Sequence, residues 1–317
     1  MGIVVVMAGG GTGGHLFPAL ALADWIREQE PHARIEFIGT ERGIERRLIP
    51  PAGYALHTVA ARPVLGKGPL DLIRASADIA RGFLEARRLL CKLDADLVIG
   101  LGAYASFPTV AAAASLRLPV GLLQMDAEPG LANRILSRVS RGVFVQFEET
   151  ARRFPEGRAL LTGIPVRRIP TPVREEDKEA GSVRLLVFGG SQGARSINRA
   201  MISALPSLGA DGGFRITHQT SAADLATVRE GYSAAGIDAE VAPFYDDLLE
   251  RIAQSDLVVA RAGISSIAEL CATGVPSILV PHPHAGGHQR ANAETLERAG
   301  GCVVVADGEL EEARRGR

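Results

Sequence analysis

Two stretches of this chain follow one plan, and that repetition limits the fold more than any other feature. Residues 3–8 form a short apolar run that leads into Gly9-Gly10-Gly11-Thr12-Gly13-Gly14-His15, with an amphipathic helix expected over 17–27. Residues 183–188 form a second apolar run, followed by a turn built on Gly189, Gly190 and Gly193 with Ser191 and Gln192 inside it, and by a helix expected over 194–205. An uninterrupted apolar run of this length fits a strand buried on both faces of a parallel sheet. A glycine turn that opens a helix leaves first-turn N–H groups pointing into it, which together with the helix dipole makes a seat for an anion. A tight turn without a ligand is the alternative, but three glycines with Ser and Gln exceed what a bare turn needs. By spacing alone Gly9, Gly11 and Gly14 also fit the dinucleotide pattern G-x-G-x-x-G, a weak signal by itself. The Lys-Ser/Thr ending of a nucleotide P-loop does not follow.

The rest of the chain keeps the same rhythm. Strands are expected at 35–38, 96–100, 120–124 and 142–146, with a short helix near 41–48 and a loop at 101–107. In the second half, strands are expected at 215–219, 240–242, 257–260, 277–280 and 302–305, and helices at 223–235, 246–254, 265–273 and 289–299. Strands alternating with helices predict doubly wound α/β domains, whose ligands sit beyond the carboxyl ends of the strands. Prolines and a charge run at 164–182 interrupt the pattern, which gives an N-terminal domain over 1–163, a linker over 164–182 and a C-terminal domain over 183–317.

Composition narrows the function classes. With 317 residues, 46% hydrophobic, 22% charged and a net charge of −1, the chain reads as globular, and the charge argues against general nucleic-acid binding. Cys91, Cys271 and Cys302 have no metal or redox spacing and are expected to be reduced and buried in a cytosolic protein. Residues 1–8 read as a strand and not as a signal peptide, and no apolar stretch approaches the length of a membrane span. Any membrane association is therefore expected to be peripheral. Residues 62–88 mix apolar side chains with Lys67, Arg74, Arg81, Arg87 and Arg88, either as an amphipathic helix with a solvated basic face or as a surface resting on anionic headgroups. His282, His284 and His288 are close in sequence, but intervening Pro and Gly and the lack of a carboxylate argue for a loop rather than a metal site.

Four ordered stretches carry a resemblance over essentially the whole chain: GGGTGGH at 9–15, FGGSQGARSIN at 188–198, RAGISSIAEL at 261–270 and PHPHAGGHQRANA at 281–293. Together they resemble the MurG family, bacterial transferases that move N-acetylglucosamine from UDP-N-acetylglucosamine to lipid I in peptidoglycan synthesis. The resemblance implies a GT-B fold, in which two Rossmann-like domains face each other across a cleft, and no metal or other cofactor. It also implies that the C-terminal domain holds the donor. Ser191, Gln192, Gly193 and the helix start would take the diphosphate, with Asn198 nearby and Arg167 adding a cation. The backbone of Phe244 would meet uracil, Glu269 the ribose hydroxyls, and Gln289, with Asn292, the sugar. In the N-terminal domain Thr12, Gly13 and Gly14 would hold the pyrophosphate of a lipid-linked muramoyl acceptor, with Tyr104 at the cleft edge. His15 would act as general base, a task to which an imidazole is suited, or orient the acceptor hydroxyl. Such an enzyme works on the inner face of the cell membrane.

The chain departs from that family in places. Where the family has His-Glu-Gln-Asn, this chain has Leu123-Gln124-Met125-Asp126, so Asp126 becomes a second candidate base. Ala103 replaces the glycine before Tyr104, and the chain ends in GELEEARRGR where relatives run on into a helix that crosses to the first domain. A GT-B transferase with another acceptor and a non-catalytic UDP-sugar binder remain open on sequence. A nicotinamide-dependent dehydrogenase would leave the second glycine loop unexplained.

Overall fold

The computed structural model describes residues 2–10, 13–41, 43–62, 69–167, 182–190, 193–208, 213–283 and 287–310, with backbone alone at 69–73. Thr12, Ser191, Gln192, His284 and most of the expected linker lie outside them. Residue contacts divide the chain into one unit over Met1–Arg167 and another over Arg168–Arg317.

The first unit contains β1 (Val4–Ala8), α1 (Gly13–Gln29), β2 (Arg34–Gly39), α2 (Glu45–Leu48), β3 (Ala55–Thr58), α3 (Pro69–Leu93) and β4 (Leu97–Gly100). It continues with α4 (Ala103–Ser115), β5 (Val120–Gln124), α5 (Leu131–Leu136), β6 (Gly142–Val145), α6 (Glu148–Ala151) and β7 (Ala159–Leu161). The strands form one parallel sheet in the order β3-β2-β1-β4-β5-β6-β7. β1 is an interior strand between β2 and β4, and Val6, Met7 and Ala8 are fully buried, as the apolar run demands. Each buried side chain of Val or Met size contributes roughly 1.5–3 kcal/mol. The core continues through Ala86 and Leu90 of α3, Val110 and Ala113 of α4, and Val98, Leu122 and Val143 of the sheet.

The second unit contains β8 (Val183–Phe188), α7 (Arg195–Leu208), β9 (Phe214–Gln219), α8 (Leu225–Ala234), β10 (Ala239–Ala242) and α9 (Leu248–Gln254). β11 (Leu257–Ala260), α10 (Ile264–Thr273), β12 (Ser277–Leu279), α11 (His288–Arg298) and β13 (Cys302–Val304) follow. Its parallel sheet runs β10-β9-β8-β11-β12-β13. Leu185, Val187, Ile197, Ile216, Val228 and Tyr232 form the core on the face covered by α7 and α8. In both sheets the strand order reverses beside the first strand of the unit, between β1 and β4 and between β8 and β11. Parallel α/β sheets bind ligands at the carboxyl side of such reversals.

Three expectations are corrected. The 101–107 segment is a loop only to Gly102, because Ala103 already opens α4. β3 and β7 were missed in the sequence: both are short outer strands with partly exposed side chains, β3 carrying His57 and Thr58 and β7 only three residues long. The cysteines are free but not buried, since Cys91 and Cys271 are exposed and Cys302 is half-buried. Among the described residues no helix is long and apolar enough to cross a membrane.

Candidate active site

At the first reversal, β1 ends at Ala8 and α1 opens at Gly13, with Gly13, Gly14 and His15 as its first three residues. No acidic side chain sits in that first turn. β4 ends beside it and turns through Gly102, whose φ of 85° and ψ of −169° suit glycine alone, then through Ala103 at φ 59°. A β-carbon on Gly102 would stand 3.5 Å from both His15 Nε2 and Asn133 Nδ2. The His15 ring and the Asn133 side chain therefore flank one bare backbone position, which joins the loops after β1, β4 and β5. Tyr104 is half-buried in the first turn of α4, and burial together with the charge of Glu45 raises its phenol pKa.

Glu45 was not anticipated. It is 0% exposed and accepts hydrogen bonds at Oε1 from the Thr40 N–H (3.0 Å) and hydroxyl (3.1 Å). A β-carbon on Gly10 would come within 2.4 Å of that carboxylate, and one on Gly43 within 1.8 Å. Glycine is needed at these positions to make room for a buried acid behind the loop. The sequence signal was the glycine spacing around a charged residue, which reads equally well as an exposed turn.

The altered loop after β5 is also ordered by its own side chains. Gln124 Nε2 donates to the Asp126 carbonyl (2.7 Å) and to the Glu128 carbonyl (3.3 Å), while its Oε1 accepts from Asn133 Nδ2 (2.9 Å). A glutamate cannot make the two donations. Asp126 is half-exposed, and Asn133, also missed in the sequence, is buried with its Oδ1 lacking a hydrogen-bond partner among the described residues. Arg167 is exposed and belongs to the first unit, with its guanidinium 5.9 Å from the Phe17 ring centroid of α1.

At the second reversal, β8 ends at Phe188, Gly189 and Gly190 follow, and Gly193 leads into α7, again without an acid in the first turn. A β-carbon on Gly189 would lie 2.3 Å from the Ala194 nitrogen, so the turn closes only over glycine. Asn198 is buried in α7 and its side chain faces inward, bonded to His218 and Thr220. Arg261, just past β11, donates to Asp307 Oδ1 (2.5 Å) and to Ser196 Oγ (2.8 Å), which pins the first turn of α7. Its guanidinium and a serine bond hold the Asp307 carboxyl below the usual carboxylate range against the opposing effect of burial.

Phe244, after β10, is 60% exposed. Glu269 is half-exposed on α10. Gln289, in the first turn of α11, accepts the His282 N–H at Oε1 (2.9 Å), and Asn292 one turn on is fully buried. Among the described residues no His, Cys, Asp and Glu cluster could hold a metal ion.

Comparison with known proteins matches this division. Residues 5–145 match the glycosyltransferase family 28 N-terminal domain, and residues 184–314 match the family's C-terminal domain. The UDP-N-acetylglucosamine--N-acetylmuramyl-(pentapeptide) pyrophosphoryl-undecaprenol N-acetylglucosamine transferase of Geobacter sulfurreducens is 42% identical over 312 residues, covering 96% of this chain and 86% of that protein. The Myxococcus xanthus enzyme of the same name is 42% identical over 314 residues, covering 96% and 81%. The crystal structure of Acinetobacter baumannii MurG superposes with a TM-score of 0.79 at 28% identity, covering 99% of this chain and 90% of that one. A kitacinnamycin glycosyltransferase, 15% identical, shares the fold at a TM-score of 0.68, covering 99% and 90%. Two parallel α/β units with these relatives make a GT-B fold, and the chain belongs to glycosyltransferase family 28, within its family of N-acetylglucosaminyltransferases acting on the muramyl-(pentapeptide) pyrophosphoryl-undecaprenol lipid.

Proposed function

We propose that this chain moves N-acetylglucosamine from UDP-N-acetylglucosamine to the 4-hydroxyl of a lipid-linked muramoyl acceptor, with inversion, in peptidoglycan synthesis. The observation that carries this is a glycine-loop helix start, free of first-turn acids, at the strand-order reversal of each unit, in a chain about two-fifths identical to such transferases along nearly its full length. One seat takes the pyrophosphate of each substrate.

The N-terminal unit takes the acceptor, with Thr12, Gly13 and Gly14 at its pyrophosphate and Tyr104 beside it. His15 takes the proton of the acceptor hydroxyl, and Asp126 is the competing base. The freed oxygen attacks the anomeric carbon from the face opposite UDP, the bond to the diphosphate breaks, and the charge passes to UDP. In the C-terminal unit the turn at Ser191, Gln192 and Gly193 receives that charge; Arg167, a residue of the first unit, is the proposed additional cation. The Phe244 backbone reads uracil, Glu269 accepts from the ribose hydroxyls, and Gln289 binds the sugar. The acceptor's lipid implies work at the anionic inner face of the cell membrane. α3 supports a peripheral contact there, since Leu84, Arg81, Arg87 and Arg88 are exposed along it.

Calorimetric titration with UDP and UDP-N-acetylglucosamine tests the donor half. The wild type should bind both, and Glu269→Ala should weaken both by about 10- to 100-fold, the value of a charge-assisted hydrogen bond. Absence of binding to the wild type would overturn the reading.

A further inference from the structure

Behind the second glycine turn lies a chain of hydrogen bonds among side chains that the proposed chemistry does not use. His218, at the end of β9, is 0% exposed. Its Nδ1 is 2.9 Å from the Tyr232 hydroxyl of α8, and its Nε2 is 3.1 Å from Asn198 Oδ1 in the first turns of α7. Asn198 Nδ2 in turn donates to Thr220 Oγ1 (2.7 Å) and approaches Asp224 Oδ2 (3.5 Å). Ser221 Oγ donates to the same Asp224 oxygen (2.9 Å), and Asp224 Oδ1 pairs with Arg195 Nε (3.2 Å) at the start of α7.

The carboxylate sets the direction of the bonds as far as the ring. Asp224 accepts only, so the Asn198 amide turns its NH2 toward it and its oxygen toward His218, which must then carry a proton on Nε2. Burial disfavours the charged ring, and in the neutral ring the bare Nδ1 accepts from the Tyr232 hydroxyl. The chain also touches the phosphate turn itself: a β-carbon on Gly193 would come within 2.9 Å of the Ser221 nitrogen, so the 220–221 backbone directly backs that glycine.

We propose that His218 is a positioning residue for the donor diphosphate: through Asn198 and Thr220 it fixes the first turn of α7 against the 220–221 segment, and so fixes the direction of the N–H groups at the start of α7 beside the proposed diphosphate seat. Substrate never touches it. The inference rests on the donor-site reading above, deepening it from the residues that face the ligand to the ones that hold them. A seat for charge leaving in the transition state must be fixed before the charge arrives, which is what a buried, fully satisfied network provides.

The test uses the full chain with His218→Gln, which keeps a donor near the Nε2 position, and His218→Leu, which leaves the Asn198 oxygen and the Tyr232 hydroxyl unpartnered. UDP affinity is measured by calorimetry, and the Michaelis constants for donor and acceptor in turnover. Wild-type binding of UDP comes first; if it is absent, the donor-site reading falls and this inference falls with it. Given binding, His218→Leu should weaken UDP by about tenfold or more and raise the donor KM while leaving the acceptor KM unchanged, with His218→Gln intermediate. Combined with Asn198→Ala, the His218→Leu loss should largely vanish, because the two act in series. Unchanged UDP affinity in both single variants, an equal rise in the two KM values, or full additivity with Asn198→Ala would each overturn the proposal. If His218→Leu does not fold, His218→Gln and its double variant with Asn198→Ala decide the matter. Imidazole nitrogen shifts in the wild type should report a single Nε2–H tautomer, and the opposite tautomer would also overturn it.

Discussion

The two halves of this chain reverse strand order at the same place and then fill that place with opposite chemistry. Around β1 and β4 the side chains are titratable or strained: His15, Asp126, Tyr104, the buried acid Glu45, and a left-handed turn at Gly102 and Ala103. Around β8 and β11 the charges are paired. Arg261 is matched by Asp307, Arg195 by Asp224, and the centre is the neutral chain Tyr232–His218–Asn198–Thr220. The fold fixes where ligands go, while side chains decide what happens there. A site that removes a proton needs groups able to change charge. A site that receives a leaving diphosphate needs donors that stay still.

The largest effects should therefore come from removing a titratable group in the first half. His15→Ala should lower kcat by roughly 10²- to 10⁴-fold and leave UDP affinity, measured by calorimetry, at the wild-type value. If Asp126→Asn produces that loss and His15→Ala does not, the base is Asp126. A variant that loses UDP affinity as well would break the division of labour between the halves.

Gln124→Glu comes next. It would point a buried carboxylate at the carbonyls of Asp126 and Glu128. The expected cost is about 2–4 kcal/mol in chemical denaturation at pH 7.5. A smaller loss at pH 5 is expected, because a protonated acid can donate one of the bonds.

The second half should respond to pH through His218, whose pKa is lowered to about 4 by burial. The native ring is neutral, whereas an exposed imidazole in the unfolded chain takes up a proton below about 6.5. The unfolded state then binds more protons, so this contribution is intact above pH 6.5 and is lost as pH falls toward 4. Its slope approaches about 1.4 kcal/mol per pH unit and its total about 3 kcal/mol. Unfolding measured at pH 5 and pH 7.5 should show the difference shrink in His218→Gln. The Asp224–Arg195 pair is common to both proteins and cancels. An unchanged slope would show that the ring does not resist protonation.

The sequence made the central strands and both glycine turns legible because each is a local pattern: an apolar run, then residues that only a tight turn tolerates. β3 and β7 were hidden because β3 carries polar residues on a half-exposed edge and β7 is only three residues long. In the site, single residues facing a ligand could be read from motif position. Glu45, Asn133 and His218 could not, since each acts from behind a loop through partners 5, 9 and 14 or more residues away. A histidine in the middle of RITHQT looks like any strand residue until the helix carrying Asn198 is packed against it. Asn198 itself could be placed near the diphosphate from its motif, but its inward direction could not.

The smallest effect sharpens the comparison most, because it isolates backbone from chemistry. The loops after β4 and β11 occupy equivalent places, yet Gly102 has φ 85° while Gly263 sits at an ordinary φ of −65°. Gly102→Ala should cost roughly 2 kcal/mol through its backbone alone, since its β-carbon would meet only ordinary contacts at 3.5 Å. Gly263→Ala, whose β-carbon would find only Ser266 Oγ at 3.7 Å, should stay within about 0.5 kcal/mol. Ala103, at φ 59°, already bears the strain that a glycine would relieve. Ala103→Gly should gain at most about 1 kcal/mol, reduced by the freedom glycine adds to the unfolded chain, and so raise Tm by about 1–3 °C. If the gain is accompanied by a loss of kcat with UDP affinity unchanged, the strained turn helps to hold His15 and Tyr104 in place. With kcat also unchanged, the turn is only a scaffold, and the chemistry of the first half rests on its side chains alone.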